Sequence, residues 1–172
     1  IAVEAGQTSL GCTSFYMDAG FDPLFPFGYG LSYTTFKYSN VKLSSASLKK
    51  DDVLTVTFDL ENTGKYKGTE VAQLYIQDKV GSVTRPVKEL KGFEKVQLAP
   101  GETKTVTMEL DKRSFAWYNT ELHDWYAASG KYEILIGASS RDIRLSETIE
   151  LSSSQVIPMN IHMNTTLGDL FN

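Results

Sequence analysis

The chain is predicted to be all-β, an antiparallel β-sandwich, and three observations lead there. Apolar and polar residues alternate with a period of two through most of the sequence between residues 36 and 151. Gly, Pro, Asn and Asp clusters cut that pattern into short pieces. No long amphipathic helical stretch lies between the pieces, so the crossovers of a parallel sheet have no candidate.

The individual runs follow in order. Residues 1–22 carry Gly6, Gly11 and Gly20 without a sustained period and read as an irregular arm with one extended piece, Thr13 to Asp18. Next comes Pro23 to Phe36, PLFPFGYGLSYTTF, with two prolines, two glycines and five aromatic rings in fourteen positions. Pro23 and Pro26 fix φ and remove amide donors, and Gly28 and Gly30 open backbone angles closed to other residues, so neither a helix nor an inner strand suits it. Its rings are too apolar for a solvated linker. The segment is expected to lie extended against a surface and bury Phe25, Phe27, Tyr29 and Tyr33, either as an aromatic corner of the sandwich or as a strap gluing one domain to another.

The strands begin with VKLSS. In VLTVTFDLENTG, Leu54, Val56, Phe58 and Leu60 alternate with Thr55, Thr57, Asp59 and Glu61 and run into an Asn-Thr-Gly turn. TEVAQLYIQD sets Ala72, Leu74 and Ile76 against Val71, Gln73, Tyr75 and Gln77. Its faces differ less, which predicts a central strand covered on both sides. ELKGFEKVQL, TKTVTMEL, KYEILIGAS and LSETIEL complete a set of seven.

Two loops interrupt the rhythm. DKVGSVTRPVKEL is long for a hairpin and is expected to reach outside the domain, with Arg85 offering a forked cation to a partner carboxylate. RSFAWYNTELHDWYAASG gathers Trp117, Tyr118, Trp125 and Tyr126. Such rings stack on sugar faces or plug the end of a sandwich, and both readings stand. After Leu151 the tail carries Val156, Ile157, Met159, Ile161 and Met163, so residues 153–172 are expected to dock on something outside the chain. The expected division is therefore an arm and strap over 1–35, the sandwich over 36–152 and a docking tail or connection over 153–172.

With 172 residues and a net charge of −4, the chain lacks the basic face that nucleic acid requires. No apolar run approaches the roughly 18 residues of a membrane span. One cysteine and two histidines supply neither an intrachain disulfide nor a metal cluster, and no cofactor motif is found. The first residue is Ile1, so the chain is expected to be an internal piece of a longer product.

FPFGYGLSYTTF resembles the signature that joins an α/β-sandwich domain to a fibronectin type III-like domain in glycoside hydrolase family 3, the β-glucosidase and β-xylosidase family. RPVKELKGFEKVQLAPGET and ASGKYEILIGASSRDIRL are similar to the same domain in the same order, and the likeness spans roughly Phe15 to Leu151. It implies an immunoglobulin-like, fibronectin type III-like sandwich serving as accessory domain to a retaining hydrolase of terminal β-D-glucosides. The implied partners are the catalytic barrel and α/β-sandwich domains and a β-glucoside or cello-oligosaccharide substrate; a homodimer is left open. A periplasmic or secreted setting follows the family, with the cytoplasm left open.

Glycoside hydrolysis needs two carboxylates roughly 5–10 Å apart. Here Asp59 and Glu109 alternate outward, and Asp142 beside Arg141 and Arg144 reads as a surface ion pair. The family draws its nucleophile and general acid from other domains, so no catalytic residue carries over. The resemblance marks Phe25, Phe27, Tyr29, Tyr33 and Arg85 as inter-domain contacts. Phe15, Tyr16, Trp117, Tyr118, Trp125 and Tyr126 remain candidates for the rim of a sugar pocket. A carbohydrate-binding module using the Trp117–Tyr126 aromatics as a flat platform, or an adhesion sandwich, is the alternative.

Overall fold

The computed structural model describes residues 23–49, 52–81, 83 and 85–152, with the backbone alone of 155–157. Phe15, Tyr16, the arm and most of the tail therefore lie outside the described residues.

Two sheets face each other. One contains β1 (Phe36–Leu43), β3 (Leu54–Asn62) and β6 (Thr103–Leu110), with β3 in the middle. The other runs in the order β2 (Ser47–Leu48), β10 (Ile143–Leu151), β9 (Gly130–Gly137), β4 (Gly68–Asp78) and β5 (Glu89–Leu98). All pairings in them are antiparallel except the two-residue match of β2 with β10. The all-β sandwich is thus observed, and each of the seven anticipated runs is a strand.

Alternation explains why. In β3, Leu54, Val56, Phe58 and Leu60 are all fully buried while their neighbours are half-exposed. Each inward side chain of this size contributes about 1.5–3 kcal/mol by leaving water. Val106, Met108 and Leu110 of β6 face the same interior, opposed by Ala72, Leu74 and Ile76 of β4 and Tyr132, Ile134 and Ile136 of β9. The rings of Phe58 and Tyr38 stack at 6.0 Å, and Phe115 meets Tyr132 edge-on at 5.3 Å.

Strand β4 is central, paired with β5 and β9, and Gln73 and Tyr75 on its outer face are buried as well. The anticipated Asn-Thr-Gly turn hinges on Asn62, which is fully buried. Its amide donates to the carbonyls of Tyr66 and Leu98, while its oxygen accepts from Thr34 Oγ1 and Gly64 N. All four bonds are made, as a buried amide requires.

A third, small sheet was not anticipated. After a 3₁₀ turn at Lys112–Phe115, β7 (Trp117–Asn119) and β8 (Asp124–Ala127) form a hairpin, and β11 (Gln155–Ile157) pairs with the free edge of β8. The start of the tail thus pairs with β8 through its backbone, while most of residues 153–172, expected to dock, lie outside the described residues.

Candidate functional site

The strap, Pro23 to Tyr33, is held by its backbone. Tyr29 N donates to Pro26 O at 3.0 Å, and Gly28 at φ +78° takes the left-handed corner that such a turn requires. Arg141 Nη1 donates to Pro23 O at 3.0 Å, Ser140 N to Phe27 O at 2.9 Å, and Gln73 Nε2 to Gly28 O at 3.1 Å. Gln73 is itself buried, donates again to Ala138 O at 2.8 Å, and accepts from the Tyr75 hydroxyl. An added Cβ on Gly28 would lie 2.0 Å from Gln73 Oε1, so only glycine lets the turn approach this closely.

Because the carbonyls face the sheet, the rings face away from it. Phe25 is 64% exposed, Phe27 67% and Tyr33 96%, with Leu24 and Leu31 exposed as well. The burial expected of them is not provided by the described residues. Phe93 joins this surface without having been anticipated. It stands opposite Gln73 in the β4–β5 register, on the outer face of the sheet, and is 66% exposed. Leu24, Phe25, Phe27, Leu31, Tyr33 and Phe93 thus leave large apolar side chains exposed on the described structure.

Arg85 lies elsewhere than its loop position suggested. Its side chain is almost wholly buried, Nη1 reaching Asp78 Oδ2 at 3.3 Å and Nη2 reaching Glu89 Oε1 at 2.7 Å. It also donates to the main-chain carbonyls of Phe115 and Ala116 at 3.0 and 3.4 Å. The fork is therefore spent within its own chain, tying the β4–β5 loop to the 3₁₀ turn. Burial opposes the charge of Glu89, but Lys91 and Arg85 outweigh it and hold that carboxyl below the usual range.

The hairpin aromatics do not make one platform. Trp117 stands across from Tyr126 and Tyr118 across from Trp125, so alternation puts the two pairs on opposite faces. Both pairs meet edge-on, at 79° and 76°. The guanidinium of Arg113 lies 4.1 Å from the centre of the Trp125 ring, and that of Arg85 lies 5.7 Å from Trp117. Beside the hairpin opens a cleft of about 810 Å³, bordered by Arg85, Glu89 and Lys91 on one side and by residues 116–121 on the other.

Two carboxylates complete the electrostatics. Asp142 is bound by Arg144 at the surface, and hydrogen bonding from that guanidinium lowers its carboxyl below the usual range. Glu70 is pushed up by burial, and accepts from the Tyr38 hydroxyl at 2.8 Å. No group of three or more His, Cys, Asp or Glu side chains able to hold a metal is found among the described residues. No helix among them is long and apolar enough to cross a membrane.

Comparison with known proteins decides the family. The model of the fibronectin type III-like domain matches residues 70–140. The "Thermostable beta-glucosidase B" of Acetivibrio thermocellus is 48% identical over 156 residues, covering 91% of this chain and 21% of that protein. The chain belongs to the fibronectin type III-like domains of glycoside hydrolase family 3. The "Periplasmic beta-glucosidase" of Salmonella typhimurium is 46% identical over 132 residues, 77% of this domain and 17% of its own length. Among solved structures, beta-glucosidase 3B from Thermotoga neapolitana in complex with alpha-D-glucose superposes with a TM-score of 0.72 at 39% identity, over 80% of this domain and 19% of that chain. The fibronectin type III-like domain described here thus spans about a fifth of the length of the relatives it matches.

Proposed function

We propose that this domain is the accessory, non-catalytic part of a β-glucosidase that hydrolyses terminal β-D-glucosides with retention. In that reading it buttresses the catalytic domains through the strap and Phe93, and its edge helps to shape the aglycone side of the pocket. One observation carries the proposal. The strap spends its carbonyls on the sandwich and turns Phe25, Phe27, Tyr29 and Tyr33 outward, which is the arrangement of a preformed contact face. Pre-ordering such a face lowers the entropy lost on docking. The relatives' names and the small share of their length that this domain covers support the same assignment. Glu89, the partly buried carboxylate of the cleft, is clamped by two cations, which suits it to structure rather than to donating a proton.

The test separates the domain from the rest of its polypeptide. The two pieces, purified apart and mixed, should associate in sedimentation velocity. A Phe25→Ser, Phe27→Ser, Tyr29→Ser variant should keep its circular dichroism and lose that association. Undiminished association of the triple variant would refute the strap as the contact face.

A further inference from the structure

The cleft beside the hairpin shares no lining residue with the strap, so docking through the strap leaves its walls without an assigned role. Its volume of about 810 Å³ falls within the roughly 300–1,000 Å³ of small-molecule sites. Six consecutive residues, 116–121, border it. Of these, Trp117, Tyr118 and Asn119 form β7, and because consecutive strand residues alternate between faces it is the edge of β7 that meets the cleft there; β7 is the outermost strand of its sheet among the described residues. A strand edge presents amide donors and carbonyl acceptors in alternation, which suits a ligand that is both donor and acceptor along its length.

The side chains narrow the chemistry. Arg85 and Lys91 carry two positive charges to the cleft, Glu89 and Glu121 two negative ones. A phosphate or an acidic peptide would meet carboxylates as readily as cations, so the balance favours a neutral, hydroxyl-rich ligand. Trp117 and Tyr118 supply ring surface at the same edge, and Tyr118 is 39% exposed. Sugar C–H groups pack on such rings while hydroxyls bond at the rim. The Arg85 and Arg113 guanidiniums lying against Trp117 and Trp125 hold these walls in place before any ligand arrives.

We propose that this cleft binds a neutral β-linked gluco-oligosaccharide, laid along the β7 edge against Trp117 and Tyr118, with Glu89 and Lys91 bonding its hydroxyls. The choice of β-linked glucose rests on the accessory-domain reading; the neutral polyhydroxyl class does not.

Trp117 and Trp125 are the two tryptophans of the whole chain, and both border the cleft. The two indole N–H signals of the ¹⁵N-labelled 172-residue chain therefore report on this place directly. Titration with cellohexaose or laminarihexaose into the range of about 5 mM should shift them saturably, while maltohexaose, the α-linked control, should leave them in place. Tyr118→Ala should raise the apparent Kd about fivefold with an unchanged amide spectrum. Indole signals that stay fixed throughout would overturn the proposal. An unaltered affinity in Tyr118→Ala, or equal binding of maltohexaose, would overturn the assigned grip and linkage. None of these results touches association through the strap, which is read by sedimentation with the other domains, so the two readings fail separately.

Discussion

Replacing Arg85 by alanine is the most informative single change in the fold. The guanidinium is almost wholly buried, and its removal strands Asp78, whose side chain is equally buried and, among the described residues, keeps main-chain donors from Val80 and Gly81. It also leaves the carbonyls of Phe115 and Ala116 without their donor, while Glu89 retains Lys91. Breaking a buried pair by deleting one member costs about 3–5 kcal/mol, because the surviving charge stays desolvated. For a domain of this size each kcal/mol lowers Tm by about 2–4 °C, so Arg85→Ala should melt about 6–20 °C lower. Urea unfolding followed by tryptophan fluorescence reads the change where it occurs, since Trp117 lies against Arg85. Adding Asp78→Asn should recover part of the loss by removing the stranded charge. A loss below about 1 kcal/mol, the worth of an exposed pair, would refute the reasoning and return Arg85 to the role of a free cation awaiting a partner.

Other changes probe other joints. Gly28→Ala forces a side chain into the left-handed region and against Gln73 Oε1. It should cost about 1–3 kcal/mol and open the strap to limited proteolysis before the sandwich unfolds. Glu70 has its carboxyl raised by burial, so the folded state favours the protonated form. Stability from this group is complete below the unfolded value of about 4.3 and declines as pH rises toward the folded one. Glu70→Gln keeps an acceptor for Tyr38 and removes that decline. Its stability relative to the parent should therefore grow between pH 4 and 7 in parallel urea titrations, and a difference independent of pH would contradict the assignment.

The sandwich was legible because its strands are long enough to show a period. Leu54 to Leu60 alternates so regularly that its inward face could be named residue by residue, and the small difference between the Ala72, Leu74, Ile76 face and the Val71, Gln73, Tyr75, Gln77 face betrays a strand covered on both sides. The small sheet was not legible. β7, β8 and β11 run three or four residues each, too few for a period, and the first two carry rings on both faces. Their pairing depends on which edges lie free in space.

At the site, local sequence showed the aromatic richness of the strap but not its direction. That direction is set by Gln73, an interior strand position whose bond to Gly28 spans 45 residues of chain. Phe93 was hidden for a similar reason, since its exposure follows from its place on the edge strand β5. Arg85 sat in a long loop rich in polar residues and so looked like a cation for a partner. Its acceptors at Phe115 and Ala116 lie 30 and 31 residues away, beyond any local pattern. Signals within reach were the carboxylates at Asp78 and Glu89, seven and four positions from it, which would have neutralised the loop.

The central claim is that this domain supports a hydrolase without performing hydrolysis. Incubation of the purified 172-residue chain with p-nitrophenyl β-D-glucoside, beside the complete polypeptide from which it derives, tests that directly. The account predicts release of p-nitrophenol by the complete polypeptide and none above the uncatalysed rate by the domain alone. Sustained turnover by the domain alone would contradict it.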